Sequence, residues 1–370
     1  MSGQTATQAA SIVNEEKASL QATSSNNSSH QDPLSGHVGH LNEEQKQAMQ
    51  AFKALLFAQG LYKEDPKPTH DEATLLRYLR ARKWEPQAAL KQLKEADHWR
   101  RTHHVDEFFW THEIQSYEDA RRVYPCWTGR RTKKGVPYYI YKVAHLDKKT
   151  MNKHTDNGHH HKKHDKRPPS VVALYESLLQ LVMPMVTKLE DRPHRETPIT
   201  ASCNIVDISG VSLMQFFSLR GHLGDASALA TARYPETLDS ILVIGAPPYV
   251  ETVWGFISQW FDANTRAKIS ILSNDKEATY RRLTELIDPE HIPTEYGGTL
   301  NWNFGDLPNF DPAIMESYGL QEGKWPIGPI RMEGDEIVAL GTYADGKPRR
   351  EVVGTFKGTT TRQQAPPTPP

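Results

Sequence analysis

The chain has 370 residues, enough for one large domain with additions or for two ordinary ones. Its 44 basic and 45 acidic residues give a formal net charge of -1, so no global field draws it to nucleic acid or to an anionic membrane, and any anion site must be local. Its 2 cysteines, Cys126 and Cys203, exclude a disulfide framework, lack zinc-type spacing and favour a reducing compartment.

Residues 1–40 are rich in Ser, Asn, Gln and Thr, which predicts a disordered N-terminus. Met1 to Thr5 hold no basic region and no apolar run, which argues against a signal peptide. Asn42 with Gln45 forms a capping-box pattern, predicting a helix to Gln59 that Gly60 stops. A second helix is expected from Asp71 to Arg82, and a third from Pro86, well placed at N1, to Arg101. Residues 41–102 thus read as a small helical N-terminal unit. In its second helix, Leu75, Leu76 and Leu79 share one face while Arg77, Arg80, Arg82 and Lys83 crowd the end. The helix macrodipole favours cations there by about 0.3–1 kcal/mol each, which accounts for Arg77 and Arg80. The adjacent guanidinium and ammonium of Arg82 and Lys83 also make a ready phosphate clamp.

The main domain, 103–300, alternates strands and helices. Tyr138 to Val143 reads as a strand. A Lys- and His-rich insert over 152–167 follows, with His154, His159, His160, His161 and His164. His160 and His164 have the i,i+4 spacing of a zinc helix, but Asn157-Gly158 and the charge density favour a flexible loop, so no metal site is assigned. Ser170 to Leu189 reads as a helix, whose apolar run is broken by Glu176, Gln180 and Pro184 and so suits a buried helix rather than a bilayer span. Strands are expected at Ser202–Ile208 and Ser240–Ile244, ending at Gly210 and at Gly245-Ala246-Pro247-Pro248. The helix between them, Leu213–Arg233, has a weak spot near Gly221 and Gly224. Two more helices are expected at Tyr249–Phe261 and Thr265–Leu272; in the second, Thr265 and Lys268 would share a face. This alternation implies an α/β fold, a mixed, mainly parallel sheet with flanking helices. Residues 301–356 form a C-terminal extension, where Ile337–Leu340 and Glu351–Val353 bracket Asp345-Gly346 as a hairpin, and 357–370 a disordered Pro-rich tail.

P-loop, G-x-G-x-x-G, G-x-S-x-G and H-E-x-x-H patterns are absent. Thr132 and Ser209 stand where a phosphatase loop would need arginine after Cys126 and Cys203. No catalytic residue is assigned, and an enzyme is the weakest of the readings.

Several motifs together resemble the CRAL-TRIO lipid-binding family, and within it the fungal phosphatidylinositol transfer branch. They are Leu75 to Trp84, Ile205-Val206-Asp207-Ile208-Ser209-Gly210, Tyr234-Pro235-Glu236, Gly245-Ala246-Pro247 (with Gly for the family's Asn) and Tyr296-Gly297-Gly298. The resemblance spans roughly residues 41–300 and implies a lipid pocket over the sheet. It implies a phosphatidylinositol headgroup site at Arg82, Lys83, Thr265 and Lys268. For a second lipid or the pocket wall it implies Tyr139, Tyr175, Ser202 and Asn204. Asn204 replaces a threonine of the family's choline-lipid proteins and Thr128 a tyrosine, so phosphatidylcholine binding is expected to be weak or absent. The gate and acyl-chain contacts fall on Val250, Val253, Trp254, Ile257 and Phe261.

The expectation is a cytoplasmic monomer that extracts phosphatidylinositol and exchanges it between membranes at transient surface contacts. It would use no cofactor and bind no nucleic acid. A regulatory sensor presenting the lipid to a lipid kinase, or a carrier of a sterol or another hydrophobic ligand, are the alternatives. Acyl-chain burial, about 0.8 kcal/mol per CH₂, is already supplied by the bilayer, so selectivity must come from the headgroup.

Overall fold

The computed structural model describes residues 32–66, 68–146, 170–261 and 263–358. The His-rich insert, residues 1–31 and residues 359–370 lie outside the described residues. Helix α1 (Glu43–Ala58) opens on the expected reciprocal cap, with the Asn42 side chain accepting from the Gln45 N–H at 2.8 Å and the Gln45 side chain from the Asn42 N–H at 3.0 Å. Helix α2 (Glu72–Ala81) starts at Asp71, and α3 (Pro86–Thr102) has proline at its first turn. Phe52, Leu56, Leu75, Leu79 and Leu93 close a core between them.

Residues 32–40 depart from the expected disordered N-terminus. They form a strap of turns in which Val38 packs on the helical core and the Gly36 carbonyl accepts from Arg80 Nη1 at 2.9 Å. The polar average over 1–40 hid the anchors at this end of the segment. Short helices α4 (Val105–Thr111) and α5 (Ile114–Arg121) then lead into the sheet.

The sheet runs in the order β1 (Cys126–Arg131), β2 (Pro137–Lys142), β3 (Ser202–Asp207), β4 (Leu238–Ala246), β5 (Ile269–Ser273). β1 pairs antiparallel with β2, and the other pairs are parallel, a mixed and mainly parallel α/β sheet. Side chains alternate between its faces. Tyr138, Ile140, Cys203, Ile205, Leu242 and Ile244 pack on the first face under α11 (Lys276–Leu286) and the segment to Trp302. Register places Tyr139, Asn204, Ile241 and Ile269 in a row on the second face.

Over β1 and β2 that second face is covered by α6 (Ser170–Ser177), a π-helical turn at Leu178–Val182 and α7 (Met183–Thr187). The expected single helix to Leu189 is interrupted because Pro184 has no N–H for the Gln180 carbonyl, and a wider turn accommodates the ring. Ser170–Thr187 is long and apolar enough to cross a membrane, yet Val172, Ala173, Met185 and Val186 are fully buried in the protein core. The C-terminal segment completes this side. Phe310, α12 (Pro312–Tyr318) and an antiparallel sheet of β6 (Ile330–Glu333), β7 (Glu336–Ala339) and β8 (Glu351–Thr355) pack on the π-helical turn and α7. The Tyr318 hydroxyl donates to the Met185 carbonyl at 2.8 Å.

Two expectations change in the gate region. The helix expected over Thr265–Leu272 is a short α10 (Ala263–Ala267) followed by β5. Ile269 and Ile271 alternate with Ser270, and this period-2 pattern pairs with the open edge of β4. Thr265 and Lys268 therefore share no helix face; Lys268 follows the helix, its N–H donating to the Thr265 carbonyl at 3.1 Å. The gate helix is α9 (Val250–Ile257) with a 3₁₀ turn at Ser258–Trp260, shorter than Tyr249–Phe261. Helix α8 (Leu213–Arg233) runs unbroken through Gly221 and Gly224. Gly245 has φ +67°, and a Cβ there would lie 1.9 Å from Ser209 Oγ, so glycine is required where the resemblance has asparagine.

Candidate functional site

The site grows from the end of α2. Trp84 N–H donates to the Leu79 carbonyl at 2.8 Å and Lys83 N–H to the Arg80 carbonyl at 3.1 Å, the bond pattern of a Schellman cap. Glycine usually occupies the left-handed position of this cap; here it is Lys83, φ +51°. The turn leaves Arg82 half-buried and Lys83 exposed at the helix end.

Arg80 reaches out from the same end. Its Nε lies 3.9 Å from Glu236 Oε2, which is also 3.0 Å from Lys268 Nζ. Asn264 Nδ2 donates to Glu236 Oε1 at 2.8 Å. Lys268 Nζ also donates to the Leu238 carbonyl at 2.8 Å. Burial lowers the Arg80 guanidinium to about 10, an effect that Glu236 partly offsets. Burial first, and then the Arg80 charge with a smaller contribution from Lys268, holds the His37 imidazole below its ordinary range. The corner thus combines α2, the strap, and the amino ends of β4 and β5. Glu236 is its single carboxylate partner among the contacts described, while Arg80 and Lys268 supply positive charge; Arg82 and Lys83 follow Arg80 at the end of α2.

Glu236 is aimed by what precedes it. The Tyr234 ring is buried, and its hydroxyl donates to Glu176 Oε1 at 2.7 Å. Glu176, 1% exposed, is held by Arg100 Nη1 of α3 at 2.6 Å. Thr237 Oγ1 donates to the Tyr234 carbonyl at 3.0 Å and closes the turn, in which Glu236 has φ +55°. Neither Arg80 nor Glu236 stands out by spacing in the sequence. The signal available was the charge of Glu236 within Tyr-Pro-Glu, opposite in sign to the expected headgroup cations.

Next to this corner lies an incompletely covered apolar face. On β4, Leu242 and Ile244 are 1% and 2% exposed on the first face, while Ile241 and Val243 on the second are only half-buried. Ile269 and Ile271 of β5 and Val206 of β3 are half-buried beside them. Lys268 immediately precedes Ile269, so the charged corner forms the rim of this trough. Of the gate residues, Val253 is buried, and Val250, Trp254, Ile257 and Phe261 are half-buried. Over the 21 residues of α8 only Leu219 is buried.

The expected second-lipid residues separate. Ser202 and Asn204 share the second face and bond each other, Asn204 Nδ2 to Ser202 Oγ at 3.1 Å. Tyr139 instead lines a cavity of about 60 Å³ with Tyr117, Trp127, Leu174 and Ser177, closed by Trp325 and Ile330 of the C-terminal segment. Tyr175 stacks on Tyr234, ring centroids 4.7 Å apart and 6° from parallel. Thr128 Oγ1 turns to the Tyr138 carbonyl at 3.2 Å. Burial pushes the Cys126 thiol up to about 12 and the Cys203 thiol up to about 11, so neither is a nucleophile at neutral pH.

Two family models match this chain, the CRAL/TRIO domain over residues 121–298 and the CRAL/TRIO N-terminal domain over residues 40–95. The chain belongs to the CRAL-TRIO family. The first of these takes in the five-stranded sheet up to the Gly297-Gly298 turn, and the second takes in α1, α2 and the first part of α3. Among CRAL-TRIO relatives, the SEC14 cytosolic factor of Yarrowia lipolytica is 30% identical over 79% of this chain and 57% of its own length. The Sec14 cytosolic factor of Schizosaccharomyces pombe is 29% identical over 71% of this chain and 85% of its own. The phosphatidylinositol/phosphatidylcholine transfer protein SFH9 of Arabidopsis thaliana is 27% identical over 74% of this chain and 46% of its own. The chain therefore spans little more than half of the Yarrowia protein and less than half of the Arabidopsis one. The crystal structure of Sfh5 shares the fold, with a TM-score of 0.51 at 16% identity, covering 74% of this chain and 96% of that one.

Proposed function

We propose that this protein withdraws single phosphatidylinositol molecules from a membrane and carries them to another. The observation that supports this most is the meeting of a half-covered apolar sheet face with a cationic rim in a molecule of net charge -1. Acyl chains would lie on Val206, Ile241, Val243, Ile269 and Ile271 under α9. The headgroup phosphate would meet Lys268 and the Arg82-Lys83 end of α2, with the Thr265 hydroxyl near an inositol oxygen. Each charge-assisted bond to phosphate contributes about 1.5–3 kcal/mol, enough to select a headgroup when chain burial is equal on both sides of the exchange. Glu236 pairs with Lys268, so phosphate arrival would exchange one anionic partner for another rather than bury a bare cation.

Phosphatidylcholine is a poor fit in this reading. One face of the Tyr175 ring is covered by Tyr234, and Asn204 is bonded to Ser202. Two relatives are named cytosolic factors, which supports cytoplasmic action with transient membrane contact. Met214 and Phe217, 83% and 50% exposed near the start of α8, offer apolar area for that contact. No covalent step is needed.

Transfer of labelled phosphatidylinositol and phosphatidylcholine between vesicles tests this, comparing the wild type with Lys268→Ala. Inositol-lipid transfer is expected to exceed choline-lipid transfer and to fall about tenfold or more in the variant. Undiminished inositol-lipid transfer by Lys268→Ala would remove the headgroup assignment; no transfer by folded wild type would remove the ligand.

A further inference from the structure

Away from the trough, the strap and the loop after α7 bring His40, His194 and Glu196 together. One ligand atom from each lies within 4.8 Å of the others. Glu196 Oε1 is 3.9 Å from His40 Nε2 and 3.7 Å from His194 Nδ1. The two imidazoles stand edge to face, centroids 6.1 Å apart at 83°. We propose that His40, His194 and Glu196 bind a zinc-class divalent cation that clamps the strap of residues 32–40 to the loop after α7.

Three features prepare these side chains for a metal. Asp32 Oδ2 lies 2.6 Å from His40 Nδ1. An ionised carboxylate only accepts, so Nδ1 carries a proton, and in the neutral imidazole, the form that ligates a metal, the Nε2 lone pair faces Glu196. This is the carboxylate–histidine pairing that orients imidazole ligands and raises their basicity. The loop is also fixed from beneath. Buried Arg192 donates to the carbonyls of Thr187, His194, Arg195 and Thr197 at 2.8–3.1 Å, holding the backbone at His194 and on either side of Glu196. Finally, Thr197 Oγ1 donates to the Val38 carbonyl at 3.1 Å, so strap and loop are already joined beside the ligands.

Two imidazoles and a carboxylate are a zinc donor set with one position left for water. Metal–ligand bonds of about 2.0–2.1 Å set ligand atoms about 3.3 Å apart in a tetrahedron. The two measured edges need to close by only about half an ångström, within reach of the exposed His194 and Glu196 side chains. Sequence spacing hides this site, because His40 is far along the chain from His194 and only the folded strap returns to it.

The test must silence the histidine insert. In the full chain, His154, His159, His160, His161 and His164 are all replaced by asparagine, and zinc chloride is titrated calorimetrically. Added singly to that parent, His194→Asn removes a ligand while asparagine tolerates the left-handed φ of +53°; Glu196→Gln and Asp32→Asn complete the set. The parent is expected to bind one zinc and to gain thermal stability from it. His194→Asn and Glu196→Gln should each weaken binding by about 100-fold or more, and Asp32→Asn by about 10–100-fold with the ligands intact. Cobalt should give tetrahedral visible absorption in the parent alone. Failure of the parent to bind zinc, or binding that His194→Asn and Glu196→Gln leave unchanged, overturns the site.

Discussion

Lys83 joins a left-handed backbone to a place in the proposed headgroup site. A side chain in the left-handed region costs of order 1 kcal/mol, and glycine would avoid it at this cap. Replacing Lys83 with glycine is therefore expected to raise stability by about 0.5–1 kcal/mol while inositol-lipid transfer falls. Thermal unfolding and vesicle transfer measured on one preparation check both halves. A destabilised Lys83→Gly, or a stable one with full transfer, would show that the strained lysine serves neither role. At this scale Arg82, Lys83, Thr265 and Lys268 are candidates through their resemblance to a known pattern. Arg80 was read as a dipole partner only, because its contacts with Glu236 and with Gly36 come from segments remote in sequence. Tyr175 was legible as an aromatic near the pocket, but its stacking on Tyr234 depends on how α6 meets the end of α8.

Among the elements, α6 carries an ion pair whose carboxylate, Glu176, is buried. Glu176 is bonded by Arg100 Nη1 at 2.6 Å, by Tyr234 and by Gln180 Nε2 at 2.7 Å, so three elements converge on one carboxylate. Arg100→Met would leave that carboxylate buried without its cation, and the expected loss is about 3–5 kcal/mol. Adding Glu176→Met should recover part of it, since an apolar pair of similar volume avoids the desolvation. Denaturant unfolding of both variants decides the matter; a loss under about 1 kcal/mol for Arg100→Met would mean the carboxylate finds other compensation. Capped helices α1 to α3 and central strands β2, β3 and β4 were legible because caps and short apolar runs are local signals. β5 was not, since Ile269 and Leu272 at i,i+3 satisfy a helical period while Ile269 and Ile271 satisfy an alternating one. The π turn before Pro184 and the antiparallel β1 also depend on partners that a local window does not contain.

For the molecule as a whole, the segment after residue 300 is part of the main body. Phe310, Ile314, Tyr318, Ile330 and Ile337 share one core with Leu181, Met185 and Val186. Arg131 of β1 binds Asp311 at 2.8 Å, both side chains buried. A chain ending at residue 300 is expected to lose cooperative unfolding and to bind hydrophobic dyes; a soluble truncation with a sharp transition would show the family domain to be self-sufficient. The weak apolar pattern beyond Gly298 read as an extension because its short strands contribute only a few inward residues each, while the surface they cover belongs to helices far earlier in the chain. Synthesis from the amino end gives this arrangement a temporal meaning. The ribosome delivers the π-helical turn and α7 well before the strands that seal them, leaving a greasy flank on the nascent protein for the whole interval. A chaperone that shields such flanks would therefore be needed until β6 and β7 arrive, and slow decoding between residues 190 and 330 would prolong the exposure.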